Sequence, residues 1–167
     1  MRWSALAGLG LLATLTASVL HYDPEPILKY SAVSFPAGRP VATADLRGKP
    51  ALLTSWATWC TVCPAELRQL ELYRRAHRAS ALQIVAINVD GEDSAQTALE
   101  WTKKLDLSYA LWRDPTDRFT AVVGGVGVPT SVLLDARGKV VRRWQGRINL
   151  SEAETLDSIE RLVTGAD

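Results

Sequence analysis

Two cysteines occur in the 167 residues, Cys60 and Cys63, in a C-x-x-C spacing. A pair this close can be a dithiol that opens and closes as a disulfide, half of a metal site, or two inert buried thiols. A structural zinc site takes four ligands, usually Cys and His. Beyond the pair the chain offers only His21 and His77, and there is no second C-x-x-C. No metal is therefore expected. Inert cysteines belong inside an apolar run, whereas this pair opens a segment of helical pattern. The residues favour a redox dithiol.

Two flanking elements must position the pair. The apolar run Pro50-Ala51-Leu52-Leu53-Thr54-Ser55-Trp56 leads in and does not alternate, as expected of a fully buried strand. An amphipathic segment from Ala65 to about Ala76 leads out, with Leu67, Leu70 and Tyr73 on one stripe. Strand, sharp turn and helix then put the cysteines on the first helical turn. Unpaired backbone N–H groups and the positive helix end favour a thiolate there. A cysteine so placed has its pKa lowered from about 8.5 to about 7 or below.

The formal net charge is +1, so no broad field points to nucleic acid. Arg137, Lys139, Arg142, Arg143 and Arg147 cluster locally and fit a solvated strand face. Trp56 and Trp59 without surrounding basic residues fit a core side chain and a wall beside the sulfurs better than a base-stacking pair. No Gly-rich dinucleotide fingerprint follows a strand, so no bound cofactor is expected.

The N-terminus carries a different signal. After Arg2, the segment Trp3 to Leu20 has no charged residue. As a helix it would span about 27 Å, against roughly 30 Å for a bilayer core. Arg2 precedes it and Asp23 and Glu25 follow, which by the positive-inside rule exports the rest of the chain. Thr16-Ala17-Ser18 offers small residues for a signal peptidase, but the apolar run continues through Val19 and Leu20. An uncleaved anchor fits better than a cleaved signal peptide. The expected organisation is a signal anchor or signal peptide over 1–21, a Pro-containing linker over 22–30 and one α/β domain over 31–167. That places the domain on the outer, periplasmic face of the cytoplasmic membrane or, after cleavage, free in the periplasm.

Along the domain, strands are expected at Val33–Phe35 with Val41-Ala42 pairing back, at Ala51–Trp56 and at Leu82–Val89. A helix capped by Asp93 or Ser94 should bury Ala95, Ala98, Leu99, Thr102 and Leu105. Asp114-Pro115 should start a short helix reaching about Val123. A glycine-rich loop, Gly124 to Pro129, precedes a hairpin of Thr130–Leu134 and Lys139–Trp144. Ser151-Glu152-Ala153-Glu154 reads as a capping box opening a last helix that faces Ala153, Leu156, Ile159 and Val163 inward. Strands alternating with helices imply a parallel centre, and the closing hairpin adds antiparallel strands at one edge.

This order, with Trp56-Ala57-Thr58-Trp59-Cys60-Thr61-Val62-Cys63 opening a helix, resembles the thioredoxin fold. More narrowly it is similar to the membrane-anchored TlpA/ResA-type thioredoxins, including those of cytochrome c maturation. Glu66 three residues after Cys63, Asn88-Val89 ending a strand, Gly127-Val128-Pro129-Thr130, and Leu133-Leu134-Asp135 before Gly138-Lys139-Val140 carry the likeness, over roughly residues 30–165. The resemblance implies a cis Pro129 against the disulfide, with its loop and Val128 offering backbone to the substrate chain beside Trp59. It also implies that Glu66 tunes protonation of the cysteine pair, although an acid on a first helical turn needs no such role. Classical thioredoxins carry a buried aspartate six residues before the first cysteine; Thr54 stands there.

The expected activity is thiol-disulfide exchange. Cys60 attacks a client disulfide, and Cys63 resolves the mixed disulfide. The family favours reduction of clients such as apocytochrome c, with re-reduction by a membrane thiol-disulfide electron donor. Three other readings stand beside it. A DsbA-type oxidase or isomerase usually carries a helical insertion, for which no segment is long enough. A peroxidase needs a cysteine in P-x-x-x-T-x-x-C, which is absent. An anchored module could bind thiol-bearing partners without turnover.

Overall fold

The computed structural model describes residues 27–165. The expected anchor over 1–21 lies outside the described residues. Among the described residues no helix is long and apolar enough to cross a membrane. Most of the expected linker is also outside them, but its last four residues belong to the folded body. Ile27 bridges Lys139, Leu28 N–H donates to the Gly138 carbonyl at 2.9 Å, and Leu28 and Tyr30 are buried.

Among the described residues seven strands form one sheet: β1 (Ser31–Ser34), β2 (Pro40–Ala42), β3 (Ala51–Trp56), β4 (Gln83–Asn88), β5 (Ala110–Arg113), β6 (Thr130–Leu134) and β7 (Val140–Gln145). Their spatial order is β2-β1-β5-β4-β3-β6-β7. β3, β4 and β5 run parallel, and β6 and β7 add antiparallel beside β3. Every residue of β3 is buried, as its unbroken apolar run requires when both faces of a parallel centre are covered.

Two expectations about the sheet are corrected. Antiparallel strands occur at both edges, because the β1–β2 hairpin docks antiparallel on β5. β5 itself was not expected. It has four residues, too few to display a period, and it ends on Arg113, whose charge argues against a buried strand. Arg113 is nonetheless buried, because its guanidinium is consumed by hydrogen bonds at the end of the sheet.

Among the described residues four α-helices follow the strands: α1 (Cys63–Ala76), α2 (Ala95–Lys104), α3 (Arg118–Val122) and α4 (Ala153–Thr164). α1 buries Leu67 and Leu70 with Tyr73 half-buried, as its stripe predicts. The Tyr109 hydroxyl, just before β5, donates to the Leu67 carbonyl at 3.0 Å and ties helix to sheet. α2 turns Ala98 and Thr102 inward. Ser94 is its N-cap residue, without a side-chain capping bond.

α3 starts later than expected. Its N-cap is Asp117, at φ 48°, while Asp114 is a buried hub. Asp114 accepts from the Tyr30 hydroxyl at 2.9 Å, the Phe119 N–H at 2.9 Å and the Thr116 hydroxyl at 2.9 Å. The Ser151–Glu154 capping box does not form. Glu152 takes the N-cap position, Ala153 is exposed, and Thr155 and Ile159 are the buried residues. Glu154 instead pairs with Arg142 of β7 at 3.0 Å.

Candidate active site

β3 ends at Trp56, whose carbonyl accepts from Val89 N–H at 2.9 Å. The chain then leaves the sheet through Ala57, Thr58 and Trp59. Cys60 sits in this turn, its N–H donating to the Ala57 carbonyl at 3.2 Å. Cys63 is the first residue of α1, with Val62 as N-cap and Pro64 in the first turn, where a missing N–H costs little. Only the second cysteine is therefore on the helix; the first lies one turn before it. The two are joined as a disulfide with Cα atoms 5.5 Å apart. Cys60 is 6% exposed and Cys63 1%, so the first cysteine is the more accessible residue, though both are buried. Around them Trp59 is 68% exposed and Val62 48%.

The loop between α3 and β6 meets this pair from the other side. Its Val128–Pro129 peptide bond is cis. The Val128 carbonyl oxygen lies 4.0 Å from Cys60 Sγ. Ser55, in β3, pins the loop's end: its hydroxyl accepts from Thr130 N–H at 3.0 Å and faces the Thr130 carbonyl at 3.3 Å. Gln145 Oε1 reaches across from β7 to Val126 N–H at 3.3 Å, leaving the Val126 side chain 93% exposed. Gly125 allows a close approach. A Cβ there would stand 2.6 Å from Thr130 Oγ1 and 2.8 Å from Thr120 Cγ2.

Glu66 points away from solvent and is 1% exposed. Its Oε1 accepts from the Thr54 hydroxyl at 2.6 Å and its Oε2 from Ile148 N–H at 2.8 Å. Burial raises its carboxyl above the usual carboxylate range, and the hydrogen bonds and the Arg147 charge offset only part of that rise. Thr54, at the position of the thioredoxin aspartate, thus binds a carboxylate instead of being one.

Residues 29–143 match the AhpC/TSA family. The chain belongs to that family. It is 32% identical over 133 residues to the thiol:disulfide interchange protein DsbE of Escherichia coli, covering 79% of this chain and 69% of that protein. It is 29% identical over 118 residues to the thiol-disulfide oxidoreductase ResA of Bacillus thuringiensis, covering 70% and 66%. A secreted thiol-disulfide isomerase of Corynebacterium glutamicum superposes with a TM-score of 0.72 at 22% identity, over 83% of this chain and 85% of that one. The fold is thioredoxin-like. With its bonded C-x-x-C pair, this AhpC/TSA member is a thiol-disulfide oxidoreductase. The peroxidase pattern fails at one place: Pro50 and Thr54 are present, but the fully buried Ala57 stands where the cysteine would be.

The structure brings Cys60, Cys63, Trp59, Val128 and Pro129 to one end of the sheet and places Glu66 beneath, on α1. Ser55, Ser131, Asn88, Asp90 and Gln145 were not singled out as site residues from the sequence. Ser55, Ser131 and Asn88 had a signal, being polar residues within apolar strands.

Proposed function

We propose that this oxidoreductase reduces disulfides in exported client proteins, with Cys60 as the attacking sulfur. The Cys60 thiolate attacks one client sulfur, and the client's other sulfur leaves as a thiolate. Cys63 loses its proton and attacks Cys60, releasing the second client sulfur and closing the Cys60–Cys63 disulfide. Two electrons pass to the client. A membrane thiol-disulfide donor returns them.

The observation that carries this reading is the Val128 carbonyl 4.0 Å from Cys60 Sγ beside a cis Pro129, with Trp59 exposed alongside. A client strand entering there can meet the Val128 backbone, an apolar wall and the more accessible cysteine together. Burial raises the Glu66 carboxyl, which makes its ionised form a stronger base than an exposed carboxylate; in that form it takes the Cys63 proton, and it contacts no client. The apolar segment over 3–20 supports an anchored, outward-facing enzyme, with a soluble periplasmic form as the alternative. Apocytochrome c is one client of fitting chemistry.

The test is a trap. Cys63→Ser should accumulate mixed disulfides with client proteins, and Cys60→Ser should not. The potential decides direction: a value near about −270 mV marks a reductant and one near about −120 mV an oxidant. No trapped client, together with normal growth on Cys60→Ser, would leave a non-catalytic binding module.

A further inference from the structure

The turn carrying Cys60 is held by a buried acid that the mechanism above does not use. Asp90, two residues beyond β4, is 2% exposed. Its carboxylate accepts from Thr58 N–H at 3.1 and 3.0 Å, from the Thr58 hydroxyl at 3.0 Å and from Asn88 Nδ2 at 2.7 Å. Asn88 is fully buried and accepts in turn from Arg113 Nη1 at 2.9 Å. Arg113 Nη2 donates to the Gly91 and Glu92 carbonyls at 2.8 and 3.1 Å. A continuous hydrogen-bond chain therefore runs from the end of β5, through the end of β4, to the residue two before Cys60.

An ionised carboxylate is costly to bury unless it is fully hydrogen-bonded. Here the donors that satisfy Asp90 are the backbone and side chain of Thr58 and the amide of Asn88. The bonds hold the turn that precedes the disulfide, and they hold it by N–H and hydroxyl at once.

We propose that Asp90 is a positioning residue for the Cys60–Cys63 couple. By fixing Thr58 it holds the turn in the geometry of the closed disulfide, and so it sets how readily the pair opens. This rests on the reading of the pair as a redox couple. The relevant equilibrium is disulfide plus two glutathione thiols giving dithiol plus one glutathione disulfide. Two electrons and two protons pass from glutathione to the cysteines. A tether that supports both redox forms equally cancels from this equilibrium. One that favours the closed form lowers the fraction reduced.

The experiment titrates the full chain with glutathione redox buffers, comparing wild type with Asp90→Asn, Thr58→Ala and Thr58→Ser, and records thermal midpoints of both redox forms. Asp90→Asn should move the equilibrium constant toward dithiol by at least about threefold, tenfold being about 30 mV. Thr58→Ala should move it the same way by at least about twofold, while Thr58→Ser, which keeps the hydroxyl, stays within about 1.5-fold of wild type. The oxidised form should lose more thermal stability than the reduced form. Smaller shifts, or equal loss of stability in both forms, overturn the proposal and leave Asp90 an ordinary structural acid. If Asp90→Asn does not fold, the two Thr58 variants decide. A wild type that exchanges normally beside unmoved variants overturns only this inference. A wild type that does not exchange at all overturns the redox reading with it.

Discussion

The Thr54 hydroxyl donates to Glu66 Oε1 at 2.6 Å and accepts from the Ser131 hydroxyl at 2.7 Å. β3, α1 and β6 thus meet in a chain of two hydroxyls ending on a buried carboxyl. Such a chain works in either direction. With Glu66 ionised the protons point toward it; with Glu66 protonated, both hydroxyls can turn and point away.

Glu66→Gln checks this arrangement. Gln can present oxygen to Ile148 N–H and nitrogen to Thr54, so the variant should fold. If Glu66 moves the Cys63 proton, release of the mixed disulfide near pH 7 should slow by about a hundredfold, measured by rapid-quench trapping. The pH dependence of stability should change as well. Burial raises the carboxyl in the folded state, so its contribution is full below the unfolded value near about 4.3. That contribution is lost as pH rises through the folded value. Denaturant midpoints of wild type should therefore fall over that window and those of Glu66→Gln should not. Unchanged kinetics would reduce Glu66 to a packing role.

Glu71 predicts the opposite slope. Burial pushes its carboxyl up, but the Ser108 hydroxyl and N–H and Arg75 outweigh this and hold it below the usual range. A depressed carboxyl contributes stability above its unfolded value, and the contribution disappears as pH falls through the folded value. Glu71→Gln should cost about 1–2 kcal/mol at pH 7. The gap from wild type should close below about pH 4 in urea titrations.

Trp59 should matter to protein clients and not to small disulfides. Its ring is 68% exposed beside the sulfurs. Trp59→Ala should raise KM for a disulfide-bearing protein about tenfold, or about 1.4 kcal/mol, with kcat nearly unchanged. The rate with a small aromatic disulfide should not move. A parallel loss on both substrates would instead place the ring among the supports of the disulfide.

Gly125→Ala should destabilise by about 1–3 kcal/mol. The added carbon would stand under 3 Å from the Thr130 and Thr120 side chains, and Thr130 is fully buried between β3 and β7. Chemical denaturation measures the cost. Client affinity should also fall, because the same shift carries Val126 and Val128.

Much of this architecture was legible in the chain. The unbroken run before Trp56, the stripe on α1 and the β6–β7 hairpin each obey a local period or a turn preference, and each is where expected. The C-x-x-C pair and the Val128-Pro129 pattern, 68 residues apart in sequence, come together in space, with Cys60 Sγ 4.0 Å from the Val128 carbonyl. What escaped depends on tertiary partners. Arg113 ends a strand only because Asn88 and two carbonyls receive its guanidinium. Asp114 looked like a helix start but is held by Tyr30, 84 residues away. Ser151 and Glu154 have the spacing of a cap, yet Arg142 takes Glu154.

The sheet's margins bear on how copies of this enzyme behave when crowded. One margin is β2, three residues long; the other is β7, where Arg142 and Arg143 stand in succession. Two molecules trying to zip together along β7 would bring like charges into facing positions, and β2 is too brief to template growth. Both margins therefore oppose strand-by-strand polymerisation.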